Sequence, residues 1–142
     1  MKTILFLCTG NSCRSQIAEG WANYLWANKY KFYSAGTIAQ GLNPRAVKVM
    51  KEAGIDISSH TSKTTANLGD AKIDVVFTVC SDAHETCPMF PGGKIIHVGF
   101  DDPPRLTENM TNVEKILQVY RRVRDDIKAF VLKLETILEE RK

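Results

Sequence analysis

The chain has 142 residues, 44% of them hydrophobic and 25% charged, with a formal net charge of +3. That length and balance fit one globular domain, residues 1–142, large enough to bury a core without staples or structural metals. They exclude a nucleic-acid binder, which would carry a basic tract, and a membrane helix, which needs about 20 consecutive apolar residues. The apolar start is too short for a signal peptide, so the expected location is the cytoplasm.

Lys2 to Leu7 is short, rich in β formers and followed by a polar loop with Gly10, which predicts a buried strand. Ser15 is placed to cap a helix running to about Ala27, with Ile17, Ala18, Trp21, Ala22 and Leu25 on one face. Tyr30 to Ser34 predicts a second strand, closed by Ala35-Gly36. Asn43-Pro44 begins the next helix and Gly54 ends it. Ile73 to Val79 predicts a third strand, Ser81 to Gly93 an irregular stretch, and Lys94 to Val98 a fourth strand. From about Asn112 one long amphipathic helix is expected, with Val113, Ile116, Leu117, Tyr120, Val123, Ile127, Phe130, Leu134, Ile137 and Leu138 on its core side.

Strands alternating with helices predict an α/β fold: a four-stranded parallel sheet flanked by helices on both faces, with right-handed crossovers. Ligands of such sheets sit beyond the carboxyl ends of the strands. Cys8, Cys80 and Asp101-Asp102 follow the first, third and fourth strands, so chain order alone brings them to one edge.

The loop after the first strand reads Cys8-Thr9-Gly10-Asn11-Ser12-Cys13-Arg14-Ser15. A thiol, five residues and an arginine at a strand-to-helix junction form a nucleophile inside an oxyanion cradle. Backbone N–H groups of Thr9 to Ser15 would point inward, the helix would present its positive end, and Arg14 would grip two oxygens at once. The same fields favour a thiolate at Cys8. Ser15 either donates its hydroxyl to that thiolate or caps the helix, and both roles are compatible. Asn11 would pin the loop and accept a left-handed backbone. Cys13 reads as packing within the loop. Asp102, just before Pro103-Pro104, is the candidate acid for the leaving oxygen, although Asp-Pro is also an ordinary turn.

The four cysteines, Cys8, Cys13, Cys80 and Cys87, are spaced C-x4-C and C-x6-C, which argues against zinc, and no metal is expected. Asp82 and Glu85 form a capping-box-like pair between Cys80 and Cys87, and Pro88 limits the helix to little more than one turn. While helical, residues seven apart are separated by about 10 Å along the axis. A disulfide tolerates only about 4.4–6.8 Å between Cα atoms, so bonding requires the segment to unwind. The pair reads as a redox switch.

These stretches, from Cys8–Ser15 through Cys80-x6-Cys87-Pro88 to Gly99-Phe-Asp-Asp-Pro103, resemble the thioredoxin-coupled arsenate reductases, which share their fold with the low-molecular-weight protein tyrosine phosphatases. The phosphatases carry a tyrosine pair after Asp-Pro and lack the Cys80/Cys87 pair; here Pro104-Arg105 follows. The resemblance implies that Cys8 attacks arsenate held by the loop and Arg14 while Asp102 protonates the leaving oxygen. Cys80 would then attack Cys8, releasing arsenite, and Cys87 would attack Cys80. The Cys80–Cys87 disulfide would be reduced from outside by thioredoxin or a glutaredoxin-type donor. No cofactor is implied, phosphate or sulfate would mimic arsenate, and a monomer suffices. The competing readings are a phosphatase, whose activity would persist weakly in the reductase, and a redox-sensing oxyanion module. Several members of that family bind potassium through residues matching Asn11, Glu19, Ser34 and an aspartate. Lys63 stands where that aspartate would be, which suggests a built-in cation.

Overall fold

The computed structural model of the chain describes residues 1–80 and 93–140. In chain order its elements are β1 (Lys2–Cys8), α1 (Arg14–Trp26), β2 (Tyr30–Gly36), α2 (Pro44–Glu52), a 3-10 turn (Thr65–Leu68), β3 (Val75–Thr78), β4 (Lys94–His97), α3 (Pro103–Leu106), α4 (Val113–Leu132) and α5 (Leu134–Glu140). The strands form one parallel sheet in the order β2-β1-β3-β4. Ile4 pairs with Phe32 on one side and Val75 on the other. The chain steps outward from β1 to β2, then returns past β1 to β3. The strand order reverses there, and the loops leaving β1 and β3 flank the crevice where parallel sheets bind ligands.

Alternation along β1 decides which way Cys8 faces. Ile4, Phe6 and Cys8 belong to the large core shared with α1, α2 and α4. Leu5 and Leu7 join a smaller cluster with Ala35, Ile73 and Val76, covered by Leu68 and Ala71. Behind Cys8 the core is aromatic: Phe6 stacks on Phe32 and Phe77, and Phe77 meets Phe130 of α4 edge-on at 5.1 Å. The thiol thus stands on a rigid base.

The strand and helix expectations hold with local differences. The β3 ladder is shorter than Ile73 to Val79, although Ile73 and Val79 are buried at its ends. The single long C-terminal helix is two helices. Lys133 breaks the run, its N–H bonding Phe130 O at 3.0 Å in a tightened last turn. No glycine or proline marks that break, and the apolar spacing continues through it because Leu134 and Leu138 stay buried. Val113, expected on the core side, is 61% exposed at the start of α4. The Asp82/Glu85 capping pattern, Pro88 and Cys87 lie outside the described residues.

Candidate active site

The loop from Cys8 to Cys13 joins β1 to α1, and its shape is set by where its carbonyls go. Thr9 O accepts from the N–H groups of Thr37 (2.8 Å) and Ile38 (3.1 Å), Gly10 O from Gln40 N–H (3.0 Å), and Ser12 O from Asn43 N–H (3.0 Å). Ser62 donates its hydroxyl to Gly10 O as well, at 3.2 Å. A trans peptide carries its N–H opposite its C=O, so outward carbonyls leave the N–H sides toward the enclosed space. Gly36, the last residue of β2, lets this happen. A Cβ there would meet Thr9 O at 2.6 Å and Asn11 N at 2.7 Å.

Asn11 adopts φ 46°, the left-handed conformation expected for it. Its carboxamide oxygen accepts from Lys63 N–H at 2.8 Å and Gln16 Nε2 at 3.0 Å. Its Nδ2 donates to Ser15 Oγ at 2.8 Å and Ser34 Oγ at 3.0 Å. Gln16 Nε2 also reaches Thr61 O at 3.1 Å, while Gln16 Oε1 lies 3.0 Å from Nδ1 of His60. Asn11, Ser15, Gln16 and Ser34 are all buried, and every one of these side chains has a partner.

Ser15 does not cap the helix. Cys13 occupies the N-cap position without a side-chain cap, and α1 begins at Arg14. The Ser15 hydroxyl instead lies 2.9 Å from Cys8 Sγ, within hydrogen-bond distance of the thiol.

Cys8, Thr9, Gly10, Ser12, Cys13, Arg14, Gln40, Asp102 and Pro104 line a cavity of about 190 Å³. Arg14 is buried, its Nη1 donating to Phe100 O at 3.2 Å and its Nη2 standing 3.7 Å from Asp102 Oδ2. Asp102 sits at the start of α3, yet its carboxylate does not cap that helix. Cys8 and Cys13 are free thiols. Burial pushes the Cys13 thiol well up, with the negative charge of Asp102 adding to the rise and Arg14 opposing it. Cys80 is fully buried two residues beyond β3 and is disulfide-bonded. The hydrogen bond from Val79 N–H to Leu7 O (3.0 Å) keeps that segment beside the end of β1.

A family model described as low molecular weight phosphotyrosine protein phosphatase matches residues 3–142. The chain belongs to this family. Curated relatives of the chain include proteins named as reductases. Arsenate reductase 2 of Staphylococcus epidermidis is 46% identical over 140 residues, covering 95% of this chain and 97% of its own. The arsenate reductase of Halalkalibacterium halodurans is 51% identical over 127 residues, 89% of each chain. A solved arsenate reductase in the phosphate binding state superposes with a TM-score of 0.73 at 33% identity, covering 94% of this chain and 96% of the other.

The potassium position implied by the family resemblance does not fit a metal cation here. Ser34 donates a short hydrogen bond to Glu19, and Lys63 Nζ lies 4.0 Å from the same carboxylate while donating to Thr61 O at 3.1 Å. An ammonium group already meets the only carboxylate of that set. Among the described residues no group of three or more His, Cys, Asp or Glu side chains is arranged to hold a metal.

Of the residues singled out in the sequence, the cavity gathers Cys8, Thr9, Gly10, Ser12, Cys13, Arg14 and Asp102. Asn11 and Ser15 support the loop from behind. Gln40, Gly36 and Gln16 were not legible as site residues. They come from three different segments, and only the folded loop brings them to Gly10, Thr9 and Asn11.

Proposed function

We propose that this chain reduces arsenate to arsenite by thiol chemistry at Cys8, as its arsenate reductase relatives are named for doing. The observation that carries the reading is the cavity itself, with a free Cys8 thiol, buried Arg14 and Asp102 on its wall and a ring of peptides around it. Three arsenate oxygens would take the loop N–H groups and the guanidinium fork. Cys8 sulfur attacks arsenic, and Asp102 gives its proton to a hydroxyl of the hydrogen arsenate, which leaves as water.

The thiol–arsenate adduct is resolved by Cys80, whose sulfur attacks Cys8 sulfur. The As–S electron pair stays with arsenic, which leaves as arsenite, and a Cys8–Cys80 disulfide forms. Cys87 then attacks Cys80, freeing Cys8, and an external dithiol such as thioredoxin, or a glutaredoxin-type donor, reduces the Cys80–Cys87 bond. The first step needs a free thiol at Cys8, and Cys8 is one. Lys63 supplies the positive charge beside Glu19 that a bound cation would otherwise provide.

The test is arsenate-dependent NADPH oxidation with thioredoxin and its reductase. Cys8→Ser, Cys80→Ser and Cys87→Ser should each lose multiple turnover, and Cys87→Ser should still release a single arsenite per chain, because its first two thiol steps survive. Normal cycling by Cys80→Ser removes the relay. Sustained aryl phosphate hydrolysis without any arsenate turnover would make the chain a phosphatase.

A further inference from the structure

Gln40 lines the cavity together with Asp102 and Pro104. Its segment is held firmly: Ile38, Gln40 and Asn43 donate their backbone N–H groups to Thr9 O, Gly10 O and Ser12 O in turn. Its side chain is seated over Gly10, where an added Cβ would come within 2.1 Å of Oε1 and 2.7 Å of Cδ. The missing side chain at Gly10 therefore makes the room in which the carboxamide rests, at the mouth of the cavity. Among the described residues that carboxamide has no hydrogen-bond partner, so its N–H groups remain available to a ligand.

We infer that Gln40 is a substrate-binding residue that selects free oxyanions over their esters, its carboxamide donating to the one oxygen that faces out of the loop. This rests on the reading of the Cys8 loop as the oxyanion site. The loop and Arg14 can surround three oxygens of a tetrahedral anion, and the fourth then faces the rim formed by Gln40, Asp102 and Pro104. A neutral amide donates to a charged oxygen there without competing for the Asp102 proton. An ester carries an organic group on that oxygen. The bridging oxygen is a poor acceptor, and its substituent must pass through the space the carboxamide fills. The same side chain thus favours inorganic arsenate and disfavours an aryl phosphate.

The test is calorimetric titration of the reduced full-length chain with inorganic phosphate and with phenylphosphonate, in which a phenyl ring replaces the fourth oxygen. Gln40→Ala should weaken phosphate by about tenfold, the effect of one hydrogen bond to a charged group, and should tighten phenylphosphonate. Gln40→Glu should weaken phosphate further, because a carboxylate then faces the anion. Circular dichroism checks that these exposed-site variants fold. Parallel weakening of both probes, or no change in either, overturns the inference, since a merely structural wall would produce one of those patterns. If wild type binds phosphate and Cys8→Ser binds it too, the cavity reading stands and only the Gln40 comparison decides. If wild type binds no phosphate, the cavity reading and the Gln40 assignment fall together.

Discussion

The hydroxyl of Ser15 lies 2.9 Å from the sulfur of Cys8, both buried beneath the loop. Ser15 Oγ already accepts from Asn11 Nδ2 at 2.8 Å, so its single proton is free to point at the sulfur. Removing it takes away the donor that a reacting thiolate at Cys8 would accept from, an interaction worth about 1.5–3 kcal/mol. Ser15→Ala should therefore slow alkylation of Cys8 by iodoacetamide at neutral pH, and arsenate turnover with it, by roughly tenfold to a hundredfold. An unchanged alkylation rate would show that the hydroxyl serves only the Asn11 network.

Gly36 has a separate, steric role. A methyl group there would meet Thr9 O, Asn11 N and Ile38 O at 2.6–2.8 Å, all of them backbone atoms that cannot swing aside. Gly36→Ala must push the end of β2 away from the loop. The expected cost is about 1–3 kcal/mol of overpacking. For a chain of this size each kcal/mol lowers Tm by roughly 2–4 °C. Phosphate affinity should fall in the folded variant, because the outward carbonyl contacts that shape the cavity are displaced. A variant with wild-type Tm and wild-type phosphate binding would contradict this packing argument.

How much of this was legible beforehand depends on the range over which each residue acts. Cys8, Arg14 and Asp102 could be read because a strand end, a helix start and an Asp-Pro step are local signals, and parallel topology sends all three to one edge. The role of Ser15 was left open between two uses, since both a capping serine and a sulfur-facing serine sit one turn from the strand. The break at Lys133 was hidden because the apolar spacing runs on across it. Gln40 and Gly36 gave no signal, since their meaning lies in contacts with Gly10 and Thr9, more than twenty residues earlier. The Lys63 substitution was visible, but only folding shows that its ammonium reaches Glu19.

Cys13 and Cys8 are both free thiols on the cavity wall, yet the structure treats Cys13 as a spectator. Burial, then the charge of Asp102, raise its pKa far above the ordinary 9.0. A raised value keeps the neutral, unreactive form through the alkaline range. In native protein at pH 9, iodoacetamide followed by peptide mass spectrometry should leave Cys13 unlabelled, whereas denatured chain is labelled there. The linkage has a definite sign. The native state holds this proton more tightly than the unfolded chain, so the stabilisation is complete below about pH 9 and declines as pH rises beyond it. Ready native labelling of Cys13 would show that the thiol is not sealed.

Lys63 offers a test of how the loop is braced. Its ammonium lies 4.0 Å from Glu19, whose carboxylate accepts from Ser34, which in turn accepts from Asn11 Nδ2 at 3.0 Å. Asn11 Nδ2 also holds Ser15, so the Glu19 carboxylate is linked to Cys8 through Ser34, Asn11 and Ser15 by an unbroken set of hydrogen bonds. The Lys63 ammonium, a covalent part of the chain, is the counter-charge beside this partly buried carboxylate. Initial rates of arsenate reduction in potassium chloride and in tetramethylammonium chloride at equal ionic strength should coincide for wild type. Lys63→Asp removes the ammonium and adds a second carboxylate. It should reduce the rate in tetramethylammonium and recover severalfold in potassium, because an ion can then enter between the two acids. Potassium activation of the wild type, or a Lys63→Asp chain indifferent to the cation, would separate Lys63 from the support of the loop.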